Sequence, residues 1–164
     1  MTGSGAVVVG VRPAGPGDQD ELASMAAAAR QAVETARGGA ALLADDPAAS
    51  NGDVGPPTSS EPQAGVVLIG TIDDVVVGYL VLASKSLADG RRRAVVEELW
   101  VEPEARQVGV GAAMLADGLD WAAGQGCTSV DAVALPGDRE TKNFFESHGL
   151  VARAIIAHRE LGPA

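Results

Sequence analysis

The sequence predicts a mixed α/β domain in which an antiparallel run of strands passes, through one helical crossover, into a parallel pair, with helices flanking the sheet. Three observations predict it. Apolar runs alternate with helical segments in the order strand, helix, three strands, helix, strand, helix, strand. The three central runs are joined by short turn signals, which makes them hairpins. The third leads through a helix to the next strand, and such a crossover gives a parallel neighbour. The length of 164 residues suits a single domain spanning 1–164.

Each element has its own signal. "AVVVGVRPA" (6–14) is a first strand, stopped by Pro13. "GDQDELASMAAAARQAVETARGG" (17–39) opens on acidic residues and closes on Gly38–Gly39, with Leu22, Met25, Ala29 and Val33 on one helical face. From about 40 to 64 the chain is expected to form a flexible loop, because 45–65 is rich in Pro, Gly, Ser and Asp and shows no apolar period. Strands follow at 65–72 and 75–85 around an Asp73–Asp74 turn, and at 94–103 after a second turn that includes Arg91, Arg92 and Arg93. A helix from about Gly109 to Gly124 gathers Val110, Met114, Leu115, Gly118, Leu119, Trp121 and Ala122 on one arc. A strand at 127–136, a helix at 137–149 with Asp138 as N-cap and Gly149 at its end, and a final strand at 150–161 complete the order.

Composition narrows the function. The net charge is −10, which argues against a nucleic-acid partner, since neutralising phosphates takes surplus Lys and Arg. The same balance mildly favours a cationic over an anionic substrate. Two histidines, His148 and His158, and one cysteine, Cys127, make neither a His-rich metal site nor an internal disulfide; no metal is expected. No run is long and apolar enough to span a membrane, and the N-terminus lacks a signal-peptide pattern, so a soluble cytoplasmic protein without a membrane partner is expected. A homodimer is compatible with the sequence.

The segment "RQVGVGAAM" (106–114) carries the chemistry. It places two glycines where a strand hands over to a helix. A helix start holds backbone N–H groups without partners and about half a positive charge. Without side chains at Gly109 and Gly111, a diphosphate can approach those groups, with Arg106 at the rim. A Walker loop is excluded because no Gly-Lys-Ser/Thr follows. A dinucleotide fingerprint fails because Met114 fills its third small position and the preceding strand belongs to an antiparallel run. A nucleotide-binding regulator is weak for the same reason: no base- or ribose-reading motif accompanies the loop.

Arg106-x-x-Gly109-x-Gly111 matches the R/Q-x-x-G-x-G/A signature of the GNAT family of N-acyltransferases, and "EELWVEPEARQVGVG" resembles that family's strand-loop-helix segment, with Pro103 where the family often has a proline. The order of elements over 6–161 is also similar. The resemblance implies a GNAT-like mixed sheet with the parallel pair at the cofactor site, and acetyl-coenzyme A as acyl donor. It implies that Leu99, Trp100 and Val101 line the pantetheine arm, and that Arg106, Gln107, Val108, Gly109, Val110 and Gly111, with Ala112, hold the pyrophosphate. Asn143, and equally Lys142, would reach the adenosine end, although both read as well as solvated helix residues. The implied reaction is transfer of an acetyl group to a primary amine, on a small molecule or a peptide, by direct attack.

That reaction needs a neutral amine. A lysine-like amine has a pKa of about 10.4, so at pH 7 only about one in 2,500 is neutral, and a base is expected nearby. Glu97 and Glu98 lie on the strand that would hold the pantetheine. Strand alternation puts Glu97 on the face of Val95, Leu99 and Val101 and Glu98 on the other, and GNAT members that resemble this sequence carry an acid at the Glu97 position. Glu97 is therefore the expected catalytic base, with Glu98 as its alternative. Two positions depart from the family pattern. The tyrosine that often protonates the leaving thiolate, four residues before a glycine, is Phe145 here, before Gly149; Ser147, His148 or water remain as proton sources. A cofactor-contacting asparagine is replaced by Asp138, which reads more simply as a helix cap. Phe145 keeps a second reading open, a non-catalytic acyl-coenzyme A-binding module or regulatory subunit. Tyr79 and Cys127 read as core residues.

Overall fold

The computed structural model describes residues 6–45 and 65–162. One five-stranded sheet, in the order β1-β2-β3-β4-β5, organises them. Its strands are β1 (Val9–Pro13), β2 (Gly65–Ile72), β3 (Val75–Ser86), β4 (Arg92–Val101) and β5 (Cys127–Ala132). The first four pair antiparallel and β4 pairs β5 in parallel, as the hairpin and crossover signals predict. The helices are α1 (Gln19–Thr35), α2 (Gly39–Asp45), α3 (Val110–Gly124) and α4 (Arg139–Ser147).

The two faces of the sheet carry separate cores. Leu68, Leu80, Leu82, Ala94 and Val96 pack with Met114, Leu115 and Ala122 of α3 and with Phe145 of α4. On the other face Ile69, Tyr79 and Val81 pack with Leu22, Met25 and Ala26 of α1. Gly118 lets α3 lie close on the first face: a Cβ there would stand 2.7 Å from Leu82 Cδ1 and 2.8 Å from Leu80 Cδ2. The Asp73–Asp74 turn is tight because both residues take positive φ, 48° and 66°, the geometry that two-residue hairpins favour.

Three expectations are corrected. Residues 40–45 are not loop but the body of α2, because "AALLAD" is made of strong helix formers and Leu42 N–H donates to the Gly38 carbonyl; residues 46–64 lie outside the described part. Only Arg91 of the arginine run belongs to the turn, where Asp89 holds it. Arg92 and Arg93 sit on β4 and bond Ser84 and Ser129. Residues 150–161 form no strand. Arg153 reaches Asp131 of β5, but no ladder follows, and Val151, Ile155, Ile156 and Leu161 are between 83% and 95% exposed. Alternating apolar residues become a strand only when an edge accepts their backbone, and this segment stays off the edge of β5.

Candidate functional site

The site begins where β4 and β5 separate. Their parallel register runs from Arg92–Cys127 to Val96–Ala132 and ends there. β4 continues through Glu97 to Val101 with β3 on one side only. Backbone polar groups on the open side of that stretch have no strand partner, so an extended ligand arm can bond them.

The break coincides with an irregularity in β4. Val81 of β3 pairs with Glu98 and Leu82 pairs with Val96, so Glu97 is an extra residue in the ladder. This bulge overturns the expected alternation. Ala94 and Val96 face α3 before it, whereas Leu99 and Val101 face α3 after it. Glu98 and Trp100 therefore point toward α1: Glu98 accepts a 2.5 Å hydrogen bond from the Tyr79 hydroxyl, and Trp100 packs in the α1 core. Glu97 reaches Lys85 Nζ at 3.6 Å. Lys85 stands on β3 six residues after Tyr79, so alternation gives it the Tyr79 face, and both carboxylates lie on the α1 side. Burial, and then the Glu98 carboxylate, push the Tyr79 phenol far above its usual range, so it stays a proton donor to Glu98.

The loop after β4 is set by backbone geometry. Gln107 and Gly109 both take positive φ, 65° and 98°. Gly109 is the N-cap of α3, and glycine accepts that left-handed conformation without the penalty of a Cβ. The first bond inside the helix runs from Ala113 N–H to the Gly109 carbonyl. The N–H groups of Val110, Gly111 and Ala112 precede it, and an N-cap glycine has no side chain to accept from them. Arg106 is held against this loop. Its Nε donates to the Val101 carbonyl at 3.0 Å and its guanidinium lies 5.0 Å from the Trp100 ring centre.

One cavity of about 1010 Å³ joins these parts. Glu97, Glu98, Leu99, Trp100 and Val101 line it from β4, and Arg106, Gln107, Gly109, Val110, Gly111 and Ala112 from the loop and α3. Asn143 lines it from α4, whereas Lys142 is tied to Glu146 outside it. Val108 is 42% exposed and is not part of the lining. Phe145 is 7% exposed, packed in the α3 core beside the cavity, and Phe144, Ser147 and His148 share the wall. His148 Nδ1 stands 2.7 Å from the Phe144 carbonyl and 3.1 Å from Ser147 Oγ. Asp138 caps α4 by accepting from Thr141 N–H at 3.0 Å. Cys127 contacts Ser84 at 3.4 Å away from the lining.

Sequence reasoning missed the tie between Tyr79 and Glu98; α1 and α2 supply Arg30, Val33, Leu42 and Leu43 to the cavity. Tyr79 is fully buried, as a core reading expects, yet its hydroxyl serves the site. A lone tyrosine opposite a pair of carboxylates on the neighbouring strand was the available signal. Among the described residues no cluster of three or more metal-ligating side chains occurs, and no helix is long and apolar enough to cross a membrane.

A sequence model described as the acetyltransferase (GNAT) family matches residues 39–150. No curated protein matches the chain. Solved structures share its fold. A ribosomal-protein-alanine N-acetyltransferase from Brucella melitensis biovar Abortus 2308 superposes with a TM-score of 0.67 at 17% identity, covering 94% of this chain and 99% of that one. AAC(6')-Iy, solved in complex with the bisubstrate analogue CoA-S-monomethyl-acetylneamine, gives 0.65 at 16% identity, with 94% and 99% covered. A transcriptional regulator from Bacillus halodurans C-125 gives 0.65 at 18% identity, with 94% and 100% covered.

Proposed function

The chain belongs to the GNAT acetyltransferase family, and we propose that it moves an acetyl group from acetyl-coenzyme A to a primary amine by direct attack within a ternary complex. The observation that carries this reading is the coincidence, in one cavity, of the β4–β5 opening, the uncapped start of α3 and two carboxylates at the bulge.

The donor fits these residues in three pieces. Val110, Gly111 and Ala112 N–H groups, with Arg106 and Gln107 at the rim, receive the pyrophosphate. The open edge of β4 from Leu99 to Val101 receives the pantetheine amides. Asn143 stands toward the adenosine end. When bound, acetyl-coenzyme A supplies an activated thioester carbonyl.

The chain's own residues then handle protons. Glu97 takes a proton from the acceptor ammonium, directly or through one water, and the neutral amine can attack the thioester carbon. The C–N bond forms, the C–S bond breaks, and the second proton of the attacking nitrogen passes through water to the leaving thiolate, since Phe145 has none to give. Glu98 is the lesser candidate for base because the Tyr79 hydroxyl already donates to it, which stabilises its charged form. Lys85 holds Glu97 in place at the edge of the cavity. Cys127, outside the lining, takes no acyl group.

Free-thiol release from acetyl-coenzyme A across an amine panel tests this function. Amine-dependent release is expected, and silence with tight cofactor binding would refute it. That silence is what the second reading, an acyl-coenzyme A-binding module or regulatory subunit, requires; the buried Phe145 at the usual tyrosine position favours it.

A further inference from the structure

Strand β4 carries two adjacent glutamates, and its ladder has room for one. Ala94 and Val96 face α3 before them, and Leu99 and Val101 face α3 after them. Val96 and Leu99 are three residues apart, whereas alternation returns to one face only after an even number of steps. One of the two residues between is therefore surplus to the ladder. Here the surplus residue is Glu97, and Glu98 is the one that stays, opposite Val81. The residue that stays meets Tyr79. Tyr79 faces Trp100 across the strands, so Glu98, two residues before Trp100, is its diagonal neighbour on the same face, within reach of a long aromatic side chain. The hydroxyl of this fully buried residue donates to Glu98 Oε2 at 2.5 Å.

The two carboxylates are thus held in unlike ways. Glu98 takes a short bond from a buried donor, and such a charge-assisted bond, out of solvent, strongly favours the charged carboxylate. Burial, and then the Glu98 charge, keep the proton on that phenol. Glu97 has Lys85 Nζ at 3.6 Å, on a side chain 45% exposed, and an ion pair at that exposure is screened by water. Both glutamates line the same cavity. A carboxylate whose charged form is strongly favoured is a weak base, so the two differ in fitness for proton transfer although they are the same residue type.

We infer that Tyr79, within the acetyl-transfer reading on which this inference rests, is a positioning residue: it acts through Glu98, holding that carboxylate out of proton transfer, and so makes Glu97 the single base. Glu98 is then a second base kept silent by one hydroxyl. Removing the hydroxyl releases Glu98 to take the proton of the acceptor ammonium in place of Glu97, after which the neutral amine attacks as before.

The test is a rescue. A panel of primary amines that includes 2-phenylethylamine, spermidine and an aminoglycoside is screened with the parent, and the fastest acceptor is used. At saturating acetyl-coenzyme A, kcat by thiol release is compared for the parent, Glu97→Gln, and Glu97→Gln combined with Tyr79→Phe. The double variant is expected to exceed Glu97→Gln by at least about 10-fold, the scale of one hydrogen bond to a charged group. A merely structural hydroxyl would make the double variant worse, so equal or lower turnover overturns the inference. Should Tyr79→Phe fail to fold, Glu98→Asp in the Glu97→Gln background draws the carboxylate back from Tyr79 and carries the same expectation and the same refutation. A fully active Glu97→Gln also overturns it, since Glu97 is then not the single base. If acetyl-coenzyme A binds but no amine of the panel reacts with the parent, the acetyl-transfer reading fails by itself. The ¹³C shift of the Glu98 carboxyl, titrated in the parent and in Tyr79→Phe, then decides the tie. A midpoint raised by about one pH unit or more in Tyr79→Phe supports it, and an unmoved midpoint overturns it. Arg30, Lys85, Glu97, Arg106, Asp138, Glu140 and His148, the other charged or titratable groups of the described lining, are common to both proteins, so the difference reads the hydroxyl.

Discussion

Gly111→Asp separates cofactor binding from folding. A Cβ at Gly111 would meet Val101 Cγ2 at 3.5 Å and Phe144 Cε2 and Cζ at 3.7 Å, which are ordinary contacts. The Cβ is therefore accommodated, at a position that lines the cavity with Val101 and Phe144. An acid in the first helical turn also interacts favourably with the helix dipole, by about 0.3–1 kcal/mol, so the melting temperature should hold. The proposed pyrophosphate site responds differently. A carboxylate about 5 Å from a diphosphate of charge about −2 costs about 2 to 7 kcal/mol for an effective dielectric between about 80 and 20. Even the lower bound weakens binding by more than about 10-fold. Gly111→Ala, which adds the Cβ without the charge, should bind nearly as the parent does. Isothermal titration with acetyl-coenzyme A, paired with a thermal melt, reads both effects. An unchanged Kd in folded Gly111→Asp would refute the assignment of the pyrophosphate to this loop.

Other consequences are equally direct. Glu97→Gln should lower turnover about 10²- to 10⁴-fold with little change in cofactor affinity and partial rescue at higher pH; an active Glu97→Gln beside an inactive Glu98→Gln would move the base to Glu98. Phe145→Tyr should leave turnover near the parent value if water protonates the thiolate, and steady-state thiol release would show a gain if protonation limits the rate. Gly109→Ala should destabilise the fold by about 1–2 kcal/mol, because φ is 98° there although nothing lies within 4 Å of the new methyl; a melt that does not shift would contradict that account. The bidentate Arg12 contact, then the Gly15 N–H, hold Asp18 at about 2, below its ordinary 3.8. Its pKa is lowered on folding, so its contribution is present above about pH 4 and is lost as pH falls toward about 2. With Arg12 47% exposed on its side chain, Asp18→Asn should cost about 1 kcal/mol at pH 7 and nothing measurable at pH 2, as read by denaturant melts at both.

Much of the strand and helix order was legible because elements had local causes: Pro13 as a stop, Asp73–Asp74 as a turn, Gly109 at a helix start; the strand expected at 127–136 instead ends at Ala132, well before Pro136. The loop residues at the α3 start were legible for the same reason, since backbone exposure at glycines is a local property. What was not legible depended on partners. Alternation along β4 was read correctly on either side of Glu97 and wrongly across it, because a bulge is a mismatch between two strands and leaves no mark in one of them. α2 was hidden by the low-complexity segment that follows it, although "AALLAD" has helical composition. The 150–161 segment has the composition of a strand but no edge to join. Tyr79 looked like core and is core; its second role arises only because β3 places it within reach of Glu98.

The proposed reaction is direct transfer from the thioester to an amine at the β4–β5 opening. It is tested most directly by a single turnover with acetyl-coenzyme A carrying ¹³C in the acetyl carbonyl, an accepted amine, and rapid quench, followed by NMR of the small molecules and mass spectrometry of the protein. Direct transfer requires that label leave the thioester as it appears in the amide of the amine, with none on Cys127 or any other side chain. Label held on the protein before it reaches the amine, or released only as acetate, would contradict it.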